Sequence, residues 1–211
     1  MVKIAQKISA FNRERKWIYF KNSIYFNENT KILDVGFADI EFSEIDNYLE
    51  KKYPFQQNIT ALGINGKENF QKKYPLVNAV LYDGKIFPFE DKVFDICWSN
   101  AVIEHVGNFD DQVLFINETR RVAKTIILTT PNKHFPIEVH TRTPVMHFLP
   151  KPLFDKYLNF IGKKWATGIY MNLLTKRNIK DLLVKAKIDN YTITGNKLLG
   201  FTLDFVIIIR S

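Results

Sequence analysis

Apolar positions along this chain fall into two patterns: helical spacing, and short continuous runs bounded by turn residues. Ile4, Ile8, Phe11 and Ile18 recur at helical spacing with Lys and Arg between them, which predicts an amphipathic packing helix over 1–22. Residues 31–36 are a short apolar run ending in glycine. Phe42, Ile45 and Leu49 behind it share one helical face, so a strand, a turn and a helix are expected in that order. Further strands are expected over 59–65, 78–82, 94–99 and 125–130, the last stopped by Pro131. Between them a short polar helix opens at Gly66-Lys67-Glu68, and a longer one covers 110–122 with Val113, Ile116 and Arg120 along one side.

Strands that alternate with helices argue for parallel βαβ units with helices on both faces of one sheet. The tail departs from this rhythm. Thr175 is placed to cap a helix that turns Ile179, Leu182, Leu183 and Ala186 inward, and the β runs 191–194 and 203–209 are close enough to pair as antiparallel neighbours. Residues 132–171 fit neither pattern. They hold four prolines, three histidines and many aromatics in a basic setting, which reads as an elaborated connection or cap with a role in substrate binding.

At 211 residues, 46% apolar and 25% charged, the chain suits a single soluble domain over 1–211. The net charge of +8 draws attention to nucleic acid and anionic membranes, but the lysines are scattered among Asn, Ile and Phe instead of clustered. Cys97, the one cysteine, sits in the apolar run FDICW and cannot form an intrachain disulfide, so a cytoplasmic setting is expected. No signal-peptide core and no spanning segment is visible.

Between Asp83 and Asn132 the sequence DGKIFPFEDKVFDICWSNAVIEHVGNF is followed by INETRRVAKTIILTTPN. Two buried-strand patterns thus each lead into a polar turn, with an acidic residue after one strand and Ser-Asn then Glu-His after the next. Together with KILDVG at 31–36, this resembles the class I S-adenosylmethionine (SAM) methyltransferases, in their small-molecule, type 11-like branch. The resemblance implies a Rossmann-like α/β fold, a parallel sheet of seven strands finished by an antiparallel pair, with SAM as cofactor.

The resemblance also implies site residues. Asp34, Gly36, Phe37 and Ala38 form the first turn, where a glycine lets backbone approach the ligand. In DVGFADI the second and third glycines of the family pattern are replaced by Ala38 and Ile40; Ala38 suits the turn at negative φ, whereas Ile40 does not tolerate a left-handed conformation. Asn65 stands where the family carries an acidic ribose ligand, and its amide oxygen accepts without charge assistance. Asp83 matches the adenine contact with Gly84 beside it, and Ser99 and Asn100 match the turn at the methionine end. A nicotinamide dehydrogenase needs GxGxxG here, which this turn lacks.

The sulfonium already activates the methyl group, so the enzyme's part is alignment, exclusion of water and, for an acceptor that loses a proton, a base. Glu104 and His105 follow the fourth strand, His105 reading either as proton acceptor or as orienting residue. His140, in FPIEVHTRTP with Glu138 and Arg142 nearby, is expected to face the acceptor. The spacing of His134, His140 and His147 matches no zinc motif, so no metal is expected. The run from Phe148 to Lys164 mixes aromatics with lysines. It reads either as a lid packed on its own domain or as a basic amphipathic stretch resting on an anionic bilayer. The Asn/Asp-Pro-Pro-aromatic turn of base-amino methylases is absent, which speaks against nucleic acid. The expected activity is methyl transfer to a small or glycan- or lipid-linked acceptor, at oxygen; the alternative is a non-catalytic methyltransferase-like binding protein. Nothing in the sequence indicates the oligomeric state.

Overall fold

The structure, a computed structural model, describes residues 2–168 and 171–210. Its strands are β1 (Ile32–Val35), β2 (Ile59–Gly63), β3 (Asn78–Leu81), β4 (Phe94–Asn100), β5 (Ala123–Pro131), β6 (Tyr191–Leu198) and β7 (Phe201–Arg210). They form one sheet in the order β3-β2-β1-β4-β5-β7-β6. β1 runs parallel to both β2 and β4, and β2 runs parallel to β3, whereas β6 and β7 are antiparallel. This is the expected parallel sheet with its antiparallel finish. The order reverses at β1 and β4, the place where open α/β sheets leave a crevice beyond their strand ends.

The helices are α1 (Val2–Ser23), α2 (Tyr48–Lys52), α3 (Glu68–Lys73), α4 (Phe109–Val122), α5 (Lys151–Phe160) and α6 (Lys176–Lys185). Among the described residues no helix is long and apolar enough to cross a membrane. The chain divides into two compact units, the first made of Met1–Ser99, Thr119–Ile127 and Arg210–Ser211, the second of Asn100–Glu118 and Leu128–Ile209.

In the first unit α1 is helical as its periodicity predicts, but the buried face is a different one. Ile8, Phe11 and Ile18 are exposed, while Trp17 and Phe20 are buried; the side chain of Ile4 lies outside the described residues. The large aromatic faces win because they bury more area per residue than isoleucine. Phe20 stacks on Trp17 and Phe26 and meets Trp98 of β4 edge-on, with centroids 5.3, 5.4 and 5.3 Å away. The second departure is α2. A helix through Phe42, Ile45 and Leu49 is expected, yet only Tyr48–Lys52 is helical and Phe42 is exposed. Asp46 accepts the backbone N–H groups of Phe42 and Ser43 at 2.8 and 2.9 Å, and Asn47 adopts a left-handed conformation. Such local side-chain bonds offer the backbone an alternative to helix.

In the second unit α6 opens with the expected cap: Thr175 and Asn178 bond each other's backbone, and Ile179, Leu182 and Leu183 are buried behind them. The segment 132–171 is partly helical and partly self-packed. Phe154, Leu158, Ala166 and Met171 form a small core with Met146, Tyr157, Ile161 and Leu173 around it. Leu153, Phe160 and Trp165 stay exposed.

The buried face of α1 can be checked directly. Phe20→Ala should lower stability by about 3–5 kcal/mol, and Ile18→Ala by well under about 1 kcal/mol, in urea unfolding. Equal costs would contradict the assignment.

Candidate functional site

The first turn after β1 is built around one glycine. Gly36 has φ 101 and donates its N–H to Leu62 O at 2.8 Å. Neither Ala38 nor Ile40 is among the described residues with positive φ, so the loss of two glycines imposes no left-handed strain. The turn is instead held by side chains. Asn47 accepts from Ala38 N and donates to Ala38 O, both at 2.8 Å. Asp39 accepts from Asn69 N and Phe70 N at 2.8 and 3.0 Å, tying the turn to α3. Phe37 packs on Phe70 with centroids 4.4 Å apart and lies so close to Gly63 that a Cβ there would meet its ring at 2.7 Å.

Around this turn Glu41 gathers Lys51, Lys73, Tyr74 and Asn47. Burial works against its charge, but those four donors prevail and hold its pKa at about 2. Glu41, Asn47, Asp39, Ile40, Lys73 and Tyr74 are among the residues lining a cleft of about 370 Å³. None of this network is marked by the family pattern.

The other strand ends of the first unit present polar groups. Asn65 is exposed beyond β2. Asp83 is exposed beyond β3, and its Oδ1 accepts from Lys85 N and Ile86 N at 2.9 and 3.3 Å, which lowers its pKa and leaves the turn using one oxygen of two. Gly84 follows at φ 84, and a Cβ there would meet nothing nearer than 3.7 Å. Ser99, at the end of β4, has a buried Oγ with no hydrogen-bond partner. A backbone turn only glycine relaxes into, an unoccupied acceptor and an orphaned hydroxyl suit a nucleoside ligand with an amino acid tail.

Asp34 is different. It is buried in β1 beside Glu50 of α2, which is fully buried and has neither carboxyl oxygen in a hydrogen bond of normal geometry. Burial raises both pKa values, and the neighbouring carboxyl raises that of Asp34 further, against a smaller pull from Arg13. A carboxyl whose folded pKa lies above its unfolded value stabilises the fold below the unfolded pKa and loses that contribution as pH rises through the folded one. Glu50→Gln should therefore raise stability at neutral pH, with the gain shrinking as pH falls through the raised folded pKa and absent below about pH 4. Thermal unfolding across this range measures it, and destabilisation at pH 7 would contradict the pairing.

The second unit carries the remaining expected residues. Asn100 Oδ1 accepts from Thr129 Oγ1 at 2.8 Å. Ala101 then turns sharply at φ 58, with its N–H on Thr129 O at 2.9 Å, and launches the 3-10 turn Ile103–His105. A residue with a Cβ held in this region marks a strained corner of the kind found at functional sites. Glu104 is fully buried, its Oε2 accepting from Thr130 Oγ1 at 3.0 Å. His140 lies against it, Nε2 being 3.6 Å from Glu104 Oε1, and the His105 and His140 rings meet edge to face with centroids 4.9 Å apart.

Glu138 completes the group. It is buried, accepts from His140 N at 2.9 Å and contacts His140 Nδ1 at 2.9 Å, with Thr141 on its second oxygen. Burial opposes its charge, yet the bonds from His140 and Thr141 hold its pKa at about 2. Glu104, His105 and His140 offer ligand atoms all within 4.8 Å of one another. The sequence expectation of no metal weighed only His134, His140 and His147. The structure groups His140 with two residues 35 and 36 positions earlier, a distance that no local spacing rule reads. His147 packs in the cap instead, with Nε2 3.0 Å from Lys133 O and its ring on Phe148.

Residues 44–125 match the family described as the methyltransferase domain. No curated protein matches the chain. Among solved structures it is similar to the CurJ carbon methyltransferase, at 12% identity and TM-score 0.58, over 94% of this chain and 53% of that one. It is similar also to a SAM-dependent methyltransferase from Methanosarcina mazei, at 18% identity and TM-score 0.54, over 88% and 94% of the two chains. A third, a SAM-dependent methyltransferase from Aquifex aeolicus, shares 15% identity at TM-score 0.58 over 93% and 88%. The chain spans about half the length of the CurJ protein. With that match and that strand order, the chain has the class I methyltransferase fold, and its residues 44–125 are similar to the methyltransferase domain.

Proposed function

We propose that this chain transfers a methyl group from SAM to a small or sugar- or lipid-linked acceptor, at oxygen. The methyltransferase domain and fold point to SAM as the cofactor. Gly36, Phe37 and Ala38 would lie along it, with Asn65 at the ribose, Asp83 and Gly84 at adenine, and Ser99 and Asn100 at the amino acid end. When bound, SAM supplies the activated methyl. What the chain adds is orientation, exclusion of water and help with the acceptor's proton.

The observation that carries the acceptor assignment is the cluster of Glu104, His105 and His140. Methylation at carbon or sulfur of an already ionised acceptor asks for no such group, whereas a hydroxyl must lose its proton as the new bond forms. Two imidazoles beside a buried carboxylate are suited to that task. A second reading, a binding protein without catalysis, is favoured by two features: the first turn spends Asp39 and Asn47 on internal bonds, and Asn65 stands where the family carries an acidic ribose ligand.

Calorimetric titration with SAM separates the two readings. Asp83→Ala should weaken SAM binding by roughly tenfold, the scale of one lost hydrogen bond, and Asn65→Asp should tighten it because a charged acceptor bonds hydroxyls more strongly. His140→Ala should leave SAM affinity nearly unchanged while abolishing turnover. Absence of SAM binding by the unaltered protein would remove the catalytic reading in favour of the binding one.

A further inference from the structure

The cluster in the second unit contains an unsatisfied arrangement of charge. Glu104 is fully buried, and while its Oε2 accepts from Thr130, its Oε1 has no hydrogen-bond partner. Oε1 faces His140 Nε2 at 3.6 Å, beyond the N–H···O range of about 2.7–3.2 Å. The other ring nitrogen of His140, Nδ1, lies 2.9 Å from Glu138 Oε1. An ionised carboxylate only accepts, so Nδ1 carries a proton, and in the neutral ring the Nε2 lone pair faces a second acceptor. A buried carboxylate oxygen that faces such a lone pair is stabilised by a cation between them.

A proton is the simplest such cation, but an imidazolium bonded to Glu104 would draw the two atoms to hydrogen-bond distance. His105 adds what a proton does not need, a third donor atom within 4.8 Å of the other two. Two ligands each about 2.1 Å from one ion, at tetrahedral or octahedral angles, stand about 3.0–3.4 Å apart. The 3.6 Å between Glu104 and His140 is a small adjustment from that. Glu138 supplies the remaining sign: metal-bound histidines characteristically donate their second ring N–H to a carboxylate, which sets tautomer and ring orientation. Glu138 is itself tied down by the backbone N–H and hydroxyl of Thr141.

We propose that Glu104, His105 and His140 bind one divalent first-row transition-metal ion through one carboxylate oxygen and two imidazole nitrogens. Nitrogen donors select against magnesium and calcium, which favour all-oxygen sites, and the three-ligand set leaves coordination positions open. Those positions take oxygens of the acceptor, a part of the inference that rests on the methyl-transfer reading; the ion site itself does not.

The test uses the full chain stripped with EDTA and titrated with Co²⁺, followed by visible absorption, and with Mn²⁺, followed by electron paramagnetic resonance. One ion per chain is expected, with affinity falling at least 100-fold in Glu104→Gln, His105→Ala and His140→Ala, and 10–100-fold in Glu138→Gln. Melting temperature with and without Co²⁺ guards against misfolded variants: the ion should raise it in the unaltered protein and in no ligand variant. Binding absent from the unaltered protein, or unaffected by the three ligand substitutions, overturns the proposal. SAM titration of the same samples keeps the two claims apart. An ion bound by a protein that ignores SAM supports the metal site and removes the methyl-transfer reading, whereas SAM-dependent turnover indifferent to EDTA overturns the acceptor role of the ion.

Discussion

A carboxylate taken out of water must be neutralised, bonded or protonated, and this chain buries carboxyl groups in both of its units. In the first unit Asp34 and Glu50 meet in the interior, and burial pushes both toward the protonated state, Asp34 further because of its carboxyl neighbour. In the second, Glu138 stays charged because His140 and Thr141 surround it, while Glu104 keeps one oxygen satisfied by Thr130 and the other unmatched. Buried ion pairs of this kind are weak contributors to stability, since replacing a whole pair by apolar residues is often neutral or stabilising. The unmatched Oε1 of Glu104 is the one that lies 3.6 Å from His140 Nε2.

The fold was legible in the sequence because burial on a parallel sheet writes itself as short apolar runs, and all seven expected strands are present. Thr175 announced its helix through a reciprocal cap that needs only local residues. What misled was local in another way. Asp46 and Asn47 hold the segment before α2 out of helix with bonds that periodicity does not register, and the apolar spacing of Ile8, Phe11 and Ile18 drew attention from the larger aromatics that dock α1.

At the candidate site, residues fixed by strand ends could be placed from sequence, since Gly36, Asn65 and Asp83 follow a strand by one or two residues and Ser99 sits near the end of β4. The structure adds that the altered first turn is stable without its missing glycines, because Asn47 and Asp39 supply from side chains what glycine would supply through backbone freedom. Glu138 was visible only as a neighbour of His140. Its pairing with that ring, and the approach of Glu104 and His105, depend on how residues 132–145 fold back, which no pattern within the segment encodes.

The central claim, that this chain holds SAM along the first turn and the neighbouring strand ends, is tested most directly by hydrogen exchange with and without S-adenosylhomocysteine. The account predicts slowed exchange confined to residues 34–40, 63–66, 82–86 and 99–101. Exchange unchanged in those four segments at saturating ligand would contradict it.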